Sequence, residues 1–310
     1  MQNSSSSDAK LIKFNDFYMG GRTSFTSDDL VQFHVSITKK FAIRQEEVSL
    51  GPSFGEKGYR KGLYDFPNSV VCWGVTEIDP GVKSPFHRQL HEATHFILEG
   101  KGYSLINGVR FDWEEGDVVF VPIHSWHQNV NSGKDRVRYV TAGTVPFFKY
   151  LGTYRDENHR EPPEEELVRL RTEMPAQLVV KKKDWLPQTE AGRPAVFPFP
   201  CVVATNRMAA SMPPKTPNIF VHRHFTEALI YIMKGRGYSL VHDRRVEWEP
   251  GSVLRVPTFC WHTHDNPGDE PEVHLRHVSS GLNNHLRWNL IDNLAPEDIG
   301  QTPLARLVKK

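Results

Sequence analysis

Three histidines in this chain have the type and spacing to do chemistry: His222 and His224, one residue apart, and His262. In an extended strand, residues two apart project from the same face, so the imidazoles of His222 and His224 point together. His262 follows Gly251 and Pro257 in a second strand-like run, and a histidine on a neighbouring strand can close a facial set of three. Neutral imidazole suits iron(II), copper, nickel, zinc or manganese(II), and three protein ligands leave positions open for substrate, water or oxygen. A structural site would fill its fourth position with protein, and no fourth ligand is evident. His264, two beyond His262, shares its face and is a candidate contact to the ligands or the substrate.

The elements that must position these residues are repeated. Residues 87–131 align without a gap on residues 222–266, at a constant offset of 135, with about 20 of 45 positions identical. Gly100, Gly102, Tyr103, Trp113, Gly116, Pro122, Trp126 and His127 recur as Gly235, Gly237, Tyr238, Trp248, Gly251, Pro257, Trp261 and His262. An interval of domain length points to duplication of one domain rather than a solenoid. In the first copy His87 and His127 match His222 and His262, but Gln89 replaces His224. An amide oxygen is a weaker donor to a transition metal. His87, Gln89 and His127, with His95 pointing inward to repair the set, form a possible weaker second metal site.

Each copy reads as short strands separated by turn residues. Asn107-Gly108 favours a type I′ hairpin, and Glu115-Gly116-Asp117 and Glu249-Pro250-Gly251 mark further turns. The expected fold is all-β, two barrels in one chain with minor helices. Helix is expected at 27–42, opened by Ser27-Asp28-Asp29, and at 163–173, opened by prolines and acids. The expected organisation is an N-terminal arm (1–60), a first barrel (61–147), a connector (148–190), a second barrel (191–290) and a tail (291–310).

The balance of 38 basic and 37 acidic side chains, net +1, steers the molecule toward neither nucleic acid nor an anionic membrane. No apolar stretch approaches the roughly 20 residues of a membrane helix. MQNSSSSDAK lacks the apolar core of a secretory signal and reads as a disordered leader. Three scattered cysteines, Cys72, Cys201 and Cys260, suit a reduced, cytoplasmic protein.

The run His222-x-His224, Gly235, then Gly251-x5-Pro257-x4-His262-x3-Asn266 resembles the cupin signature, in both copies. That signature usually adds a glutamate four residues after the second histidine. Here the position is Ala228, and Ala93 in the first copy, while Glu227 and Glu92 stand one place earlier and should face the other way. A glutamate-free three-histidine set resembles the gentisate 1,2-dioxygenase group of bicupins, which includes hydroxynaphthoate and salicylate dioxygenases. HRHFTEALIYIMKGRGYSLV and PTFCWHTHDN are particularly similar to its metal-binding segments. The resemblance implies two jelly-roll barrels, iron(II) or another divalent transition metal, and oxygen-dependent ring cleavage of a hydroxylated aromatic acid. It also implies a homo-oligomer, dimer or tetramer. In that group the complete histidine set usually lies in the N-terminal cupin; here it lies in the second copy.

A substrate carboxylate would need a cation, and Arg223, Arg255 and Arg276 are the candidates. Tyr238 and Trp261 are candidate pocket walls, although their recurrence as Tyr103 and Trp126 argues for core packing. A metal-dependent lyase, decarboxylase or isomerase, and a non-catalytic small-molecule-binding bicupin, are the alternatives.

Overall fold

Strands in this chain are short because the apolar runs are short, and each run's burial follows its alternation. Lys101–Ile106 alternates outward and buried positions, whereas Val118–Val121 is buried throughout. The computed structural model describes residues 27–67, 70–158, 161–201, 203, 205–215, 220–281 and 291–308. The leader expected at residues 1–10 lies outside them.

Each copy folds as two facing antiparallel sheets. In the first, a seven-stranded sheet runs in the order Val179–Val180, Val118–Val121, Ala93–Glu99, Val137–Gly143, Cys72–Ile78, Glu56–Tyr64, Gly51–Ser53. It faces a five-stranded sheet ordered Asp156–Asn158, His87–Gln89, His127–Val130, Lys101–Ile106, Val109–Glu114. In the second, a six-stranded sheet runs Ala42–Ile43, Val253–Val256, Ala228–Lys234, Glu272–Val278, Thr205–Met212, Ala195–Val196. It faces Arg244–Trp248, Gly237–Val241, His262–Asp265, His222–His224 and Ile291–Asn293. This is the all-β, two-cupin architecture expected from the repeat.

The two copies exchange strands. Ala42–Ile43, ahead of the first barrel, pairs with Val253–Val256 of the second, and Val179–Val180, ahead of the second, pairs with Val118–Val121 of the first. Residues read as an arm and a connector therefore supply sheet strands to both barrels. A continuous core joins the barrels through Trp73, Phe96, Leu229 and Tyr231. Across it, Trp73 Nε1 donates to the Leu229 carbonyl at 3.2 Å and Tyr64 Oη to the Gly251 carbonyl at 2.8 Å.

The repeated glycines have a local cause. A Cβ on Gly237 would sit 2.3 Å from the Asp265 carbonyl and 2.4 Å from the Trp248 ring, and one on Gly102 would meet Val130 and Trp113 in the same way. Only glycine lets the tryptophan close over the neighbouring strand. The predicted type I′ turn is present, with Asn107 and Gly108 at φ +49° and +79°.

Helices occupy Ser27–Ile37 and Glu164–Thr172, within the two expected stretches. Val145–Tyr150, Ala305–Val308 and Lys182–Glu190 are also helical. The last forms in spite of Pro187 because tertiary packing overrides propensity: Trp185 is buried and its Nε1 donates to the Gly116 carbonyl at 2.8 Å. No described helix is long and apolar enough to cross a membrane.

Candidate metal centre

The register of the second barrel's five-stranded sheet brings the three histidines together. His222 is the direct cross-strand partner of His262, and His224 follows on the same face two residues on. One ring nitrogen from each of His222, His224 and His262 lies within 4.8 Å of the other two. The loop between Pro257 and His262 is held by Phe259, whose backbone is left-handed (φ +60°) and whose N–H donates to the His224 carbonyl at 2.8 Å. A non-glycine residue in this conformation is strained, and the hydrogen bond it makes ties the loop ahead of His262 to the strand that carries His224.

The imidazoles are oriented as well as assembled. Nδ1 of His262 faces the Cys260 carbonyl at 2.9 Å, that of His224 the Thr226 carbonyl at 2.6 Å, and that of His222 the Phe220 carbonyl at 3.5 Å. A ring donating through Nδ1–H carries its lone pair on Nε2, the form a metal needs. His224 Nε2 is buried with no protein hydrogen-bond partner, a costly arrangement unless something accepts that lone pair. Burial holds the His224 pKa at about 4 and depresses His222 and His262 too, with Arg276 pushing the first two the same way and the neighbouring imidazoles acting on His262. The three rings are therefore neutral at pH 7 and chemically fit to hold a divalent metal.

Around the triad, His264 and Arg276 face inward. Ser239 Oγ, which accepts from Trp248 Nε1 at 3.0 Å, lies 2.7 Å from His264 Nδ1. In the first copy the equivalent Ser104 accepts from Trp113 and donates to Asn129 at 2.7 Å. With the same polarity in the second copy, Ser239 would donate to His264 Nδ1 and the His264 proton would sit on Nε2. Arg276 is carried by Glu272–Val278, two strand positions from His274, and among the described residues it has neither an ion pair nor a hydrogen bond. His274 is engaged with Glu272 at 2.8 Å.

Three expected site residues are engaged elsewhere. Arg255 pairs across the strands with Leu229, on the sheet face opposite Ile230 and Arg276, and is consumed by an ion pair to Glu227. Its alternate register position turns it to the outer face, away from the triad. Tyr238 also faces outward: it pairs with Asp265, donates to that carboxylate at 2.8 Å and lies under Arg245 at 3.3 Å. Arg223 is held by Asp292 at 2.8 Å and stacks on Phe259 and Trp261. Trp126 is fully buried.

The first barrel differs. His87 and His127 are cross-strand partners with ring centroids 4.0 Å apart, and Gln89 stands where the third imidazole would be. His95 points inward but bonds Thr141 Oγ1 through Nδ1 at 2.9 Å and does not complete a triad. Among the described residues, the one metal-capable cluster of three or more such side chains is that of the second barrel. The first barrel instead encloses a cavity of about 620 Å³. Lys61, inside it, gave no signal in the sequence, because it lies outside the aligned part of the repeat.

Comparison with known proteins agrees with this architecture. The cupin domain family model matches residues 74–143 and again 209–278. A 5-aminosalicylate 1,2-dioxygenase from Comamonas sp. is 23% identical over 221 residues, 60% of this chain and 59% of that protein. A gentisate 1,2-dioxygenase from Haloferax sp. is 22% identical over 68% of this chain and 71% of its own length. Among solved structures, a salicylate 1,2-dioxygenase from Pseudaminobacter salicylatoxidans superposes with a TM-score of 0.64 at 13% identity, covering 83% of this chain and 88% of the other. At that identity the likeness speaks for the fold.

Proposed function

The chain is a bicupin carrying the cupin domain twice, and from that premise we propose that it is a metal-dependent dioxygenase cleaving the ring of a hydroxylated aromatic acid. The observation that carries this reading is a neutral triad, His222, His224 and His262, with each Nδ1 turned to a backbone carbonyl and an unpaired guanidinium, Arg276, beside it. The relatives that match by sequence include a 5-aminosalicylate 1,2-dioxygenase and a gentisate 1,2-dioxygenase, and their names support the substrate class.

His222, His224 and His262 would hold iron(II), as three neutral imidazoles with open positions suit it. When bound, iron(II) supplies Lewis acidity for a substrate hydroxyl and a redox path between ring and oxygen. Arg276 binds the carboxylate of the acid, and its low solvation makes that ion pair strong and directional. His264 Nε2–H donates to a substrate oxygen, with Ser239 and Trp248 fixing the ring so that little reorganisation is needed.

The unbridged thiols of Cys72 and Cys260 support a reducing, cytoplasmic setting. Exposed Phe220 and Ile291, flanking the triad strand, support a homo-oligomer.

The test is metal analysis of anaerobically purified protein beside His224→Ala, followed by oxygen uptake with hydroxylated benzoates. About one iron per chain, lost in the variant, with oxygen consumed only by the loaded wild type, is the expected result. A metal without oxygen uptake points to the lyase or isomerase chemistry of a bicupin. No metal after reconstitution points to a binding protein.

A further inference from the structure

We propose that the first barrel is a second binding site, selective for a hydroxylated organic carboxylate and working without a metal. The proposal goes beyond the reading of the second barrel and does not depend on it. Its basis is the cavity of about 620 Å³ between the two sheets of the first barrel, within the size range of small-molecule sites.

Four features select the ligand. Lys61 projects into the cavity from Glu56–Tyr64, lies over the Phe54 ring at 4.3 Å, and has neither an ion pair nor a hydrogen bond among the described residues. Its charge acts on His87, His91, His95 and His127 together, so one ammonium serves the whole space. Burial lowers its pKa to about 8, with Asp156 acting the other way, which leaves it mainly protonated at pH 7. Asp65 and Asp156 also line the cavity, but neither is bonded to Lys61, and a desolvated ammonium with no bonded carboxylate is a receptor for an anion.

The imidazoles supply the complementary half. Nδ1 of His87 faces the Pro85 carbonyl and that of His127 the Ser125 carbonyl, both at 3.0 Å, so both rings present an Nε2 lone pair. His95 Nε2 is buried without a partner. Such acceptors take hydroxyl protons, and the walls contributed by Phe54, Val75 and Tyr139 suit a planar apolar body.

A metal is the poorer occupant. Gln89 replaces one imidazole, and a divalent ion would share the cavity with the Lys61 cation. The same positive potential that opposes a dication attracts a carboxylate. The two barrels thus use cations from different strands: Thr141 occupies the first-copy position of Arg276, and Lys61 takes over from Glu56–Tyr64, two strands away in the same sheet.

The experiment is calorimetric titration of 4-hydroxybenzoate and benzoate into the full chain under nitrogen, using chelator-treated wild type, His224→Ala, Lys61→Met and Lys61→Arg. The expected result is one 4-hydroxybenzoate per chain in the chelated wild type and in His224→Ala. Affinity falls at least tenfold in Lys61→Met, recovers in Lys61→Arg, and is weaker for benzoate. Should Lys61→Met fail to fold by its thermal melt, Lys61→Gln carries the same expectation. No binding to chelated wild type, unchanged binding in folded Lys61→Met, or one metal per chain retained by His224→Ala would each overturn the proposal. Because the site is identified by the loss in Lys61→Met and the recovery in Lys61→Arg, at a residue that the second barrel does not use, failure of the ring-cleaving reading leaves the outcome intact.

Discussion

Arg255 Nε lies 3.0 Å from Glu227 Oε1 between the barrels, with the two side chains 0% and 4% exposed. The other carboxylate oxygen of Glu227 accepts the Val70 backbone N–H at 2.7 Å, and Arg255 Nη1 donates to Thr38 Oγ1 at 2.8 Å. One carboxylate thus joins the second barrel, the entry to a first-barrel strand and the N-terminal segment. The first copy repeats the device, since Glu92 accepts the Val203 N–H at 3.0 Å. The glutamate one place before the usual cupin ligand position has become the joint between the two copies.

Removing one member of that pair strands a buried charge. Glu227→Ala is expected to cost about 3–5 kcal/mol, because Arg255 keeps its desolvation penalty without its partner. Glu227→Leu combined with Arg255→Met is expected to recover most of the loss. Urea unfolding of the two variants checks this. Equal destabilisation by both would show that the packing, and not the ion pair, matters.

Arg276→Met tests the binding of the carboxylate. If the guanidinium holds the acid, KM for a hydroxybenzoate rises by roughly 10–100-fold, the equivalent of about 1.5–3 kcal/mol for a charge-assisted hydrogen bond. Metal content stays at the wild-type value, since Arg276 touches no ligand nitrogen in a bonded contact. Steady-state kinetics with parallel metal analysis decides it. A metal-depleted variant would make Arg276 part of the metal site's support instead.

The fold was legible because it is written twice. A constant offset of 135 with matched glycines and tryptophans requires two like domains, and period-two histidines on a strand require a shared face. The outward turn of Glu227 followed from the same parity. The destination of Arg255 and Tyr238 did not, because a register is needed to decide which sheet face each one takes. The exchange of Ala42–Ile43 and Val179–Val180 between barrels was hidden for a related reason: two-residue strands have no period to read. Lys61 was invisible, since nothing local separates a cavity lysine from a solvated one.

Gly237→Ala examines the close tryptophan contact. The added methyl would fall 2.4 Å from the Trp248 ring, so the ring must leave Ser239 and with it the bond that orients His264. Overpacking of this kind costs about 1–3 kcal/mol. The variant is expected to melt earlier and to lose activity beyond what its folded fraction explains. Wild-type activity per folded molecule would separate the tryptophan from the site.

Acid sensitivity provides a test that does not involve the metal. Burial lowers the pKa of His34, His127 and His277 to about 4 and of His91 to about 3, against 6.5 for an exposed ring. His277 illustrates the cause: its Nε2 donates to the Gly143 carbonyl at 2.9 Å, and its buried Nδ1 has no partner to receive a second proton. The folded chain therefore binds fewer protons than the unfolded chain between pH 4 and 6.5, and stability must rise with pH across that window. The contribution is complete above pH 6.5 and lost as pH falls toward 4, each group weighing about 1.4 kcal/mol per pH unit. Carboxylates hardly titrate between pH 6.5 and 5, so a slope there belongs to the imidazoles. Urea midpoints of chelator-treated protein are expected to be flat from pH 7 to 8 and to fall steadily below 6.5. Replacing His277 with Gln, which keeps a donor but cannot titrate, should make that fall shallower. A midpoint level from pH 6.5 to 5 would mean that these rings accept protons in place.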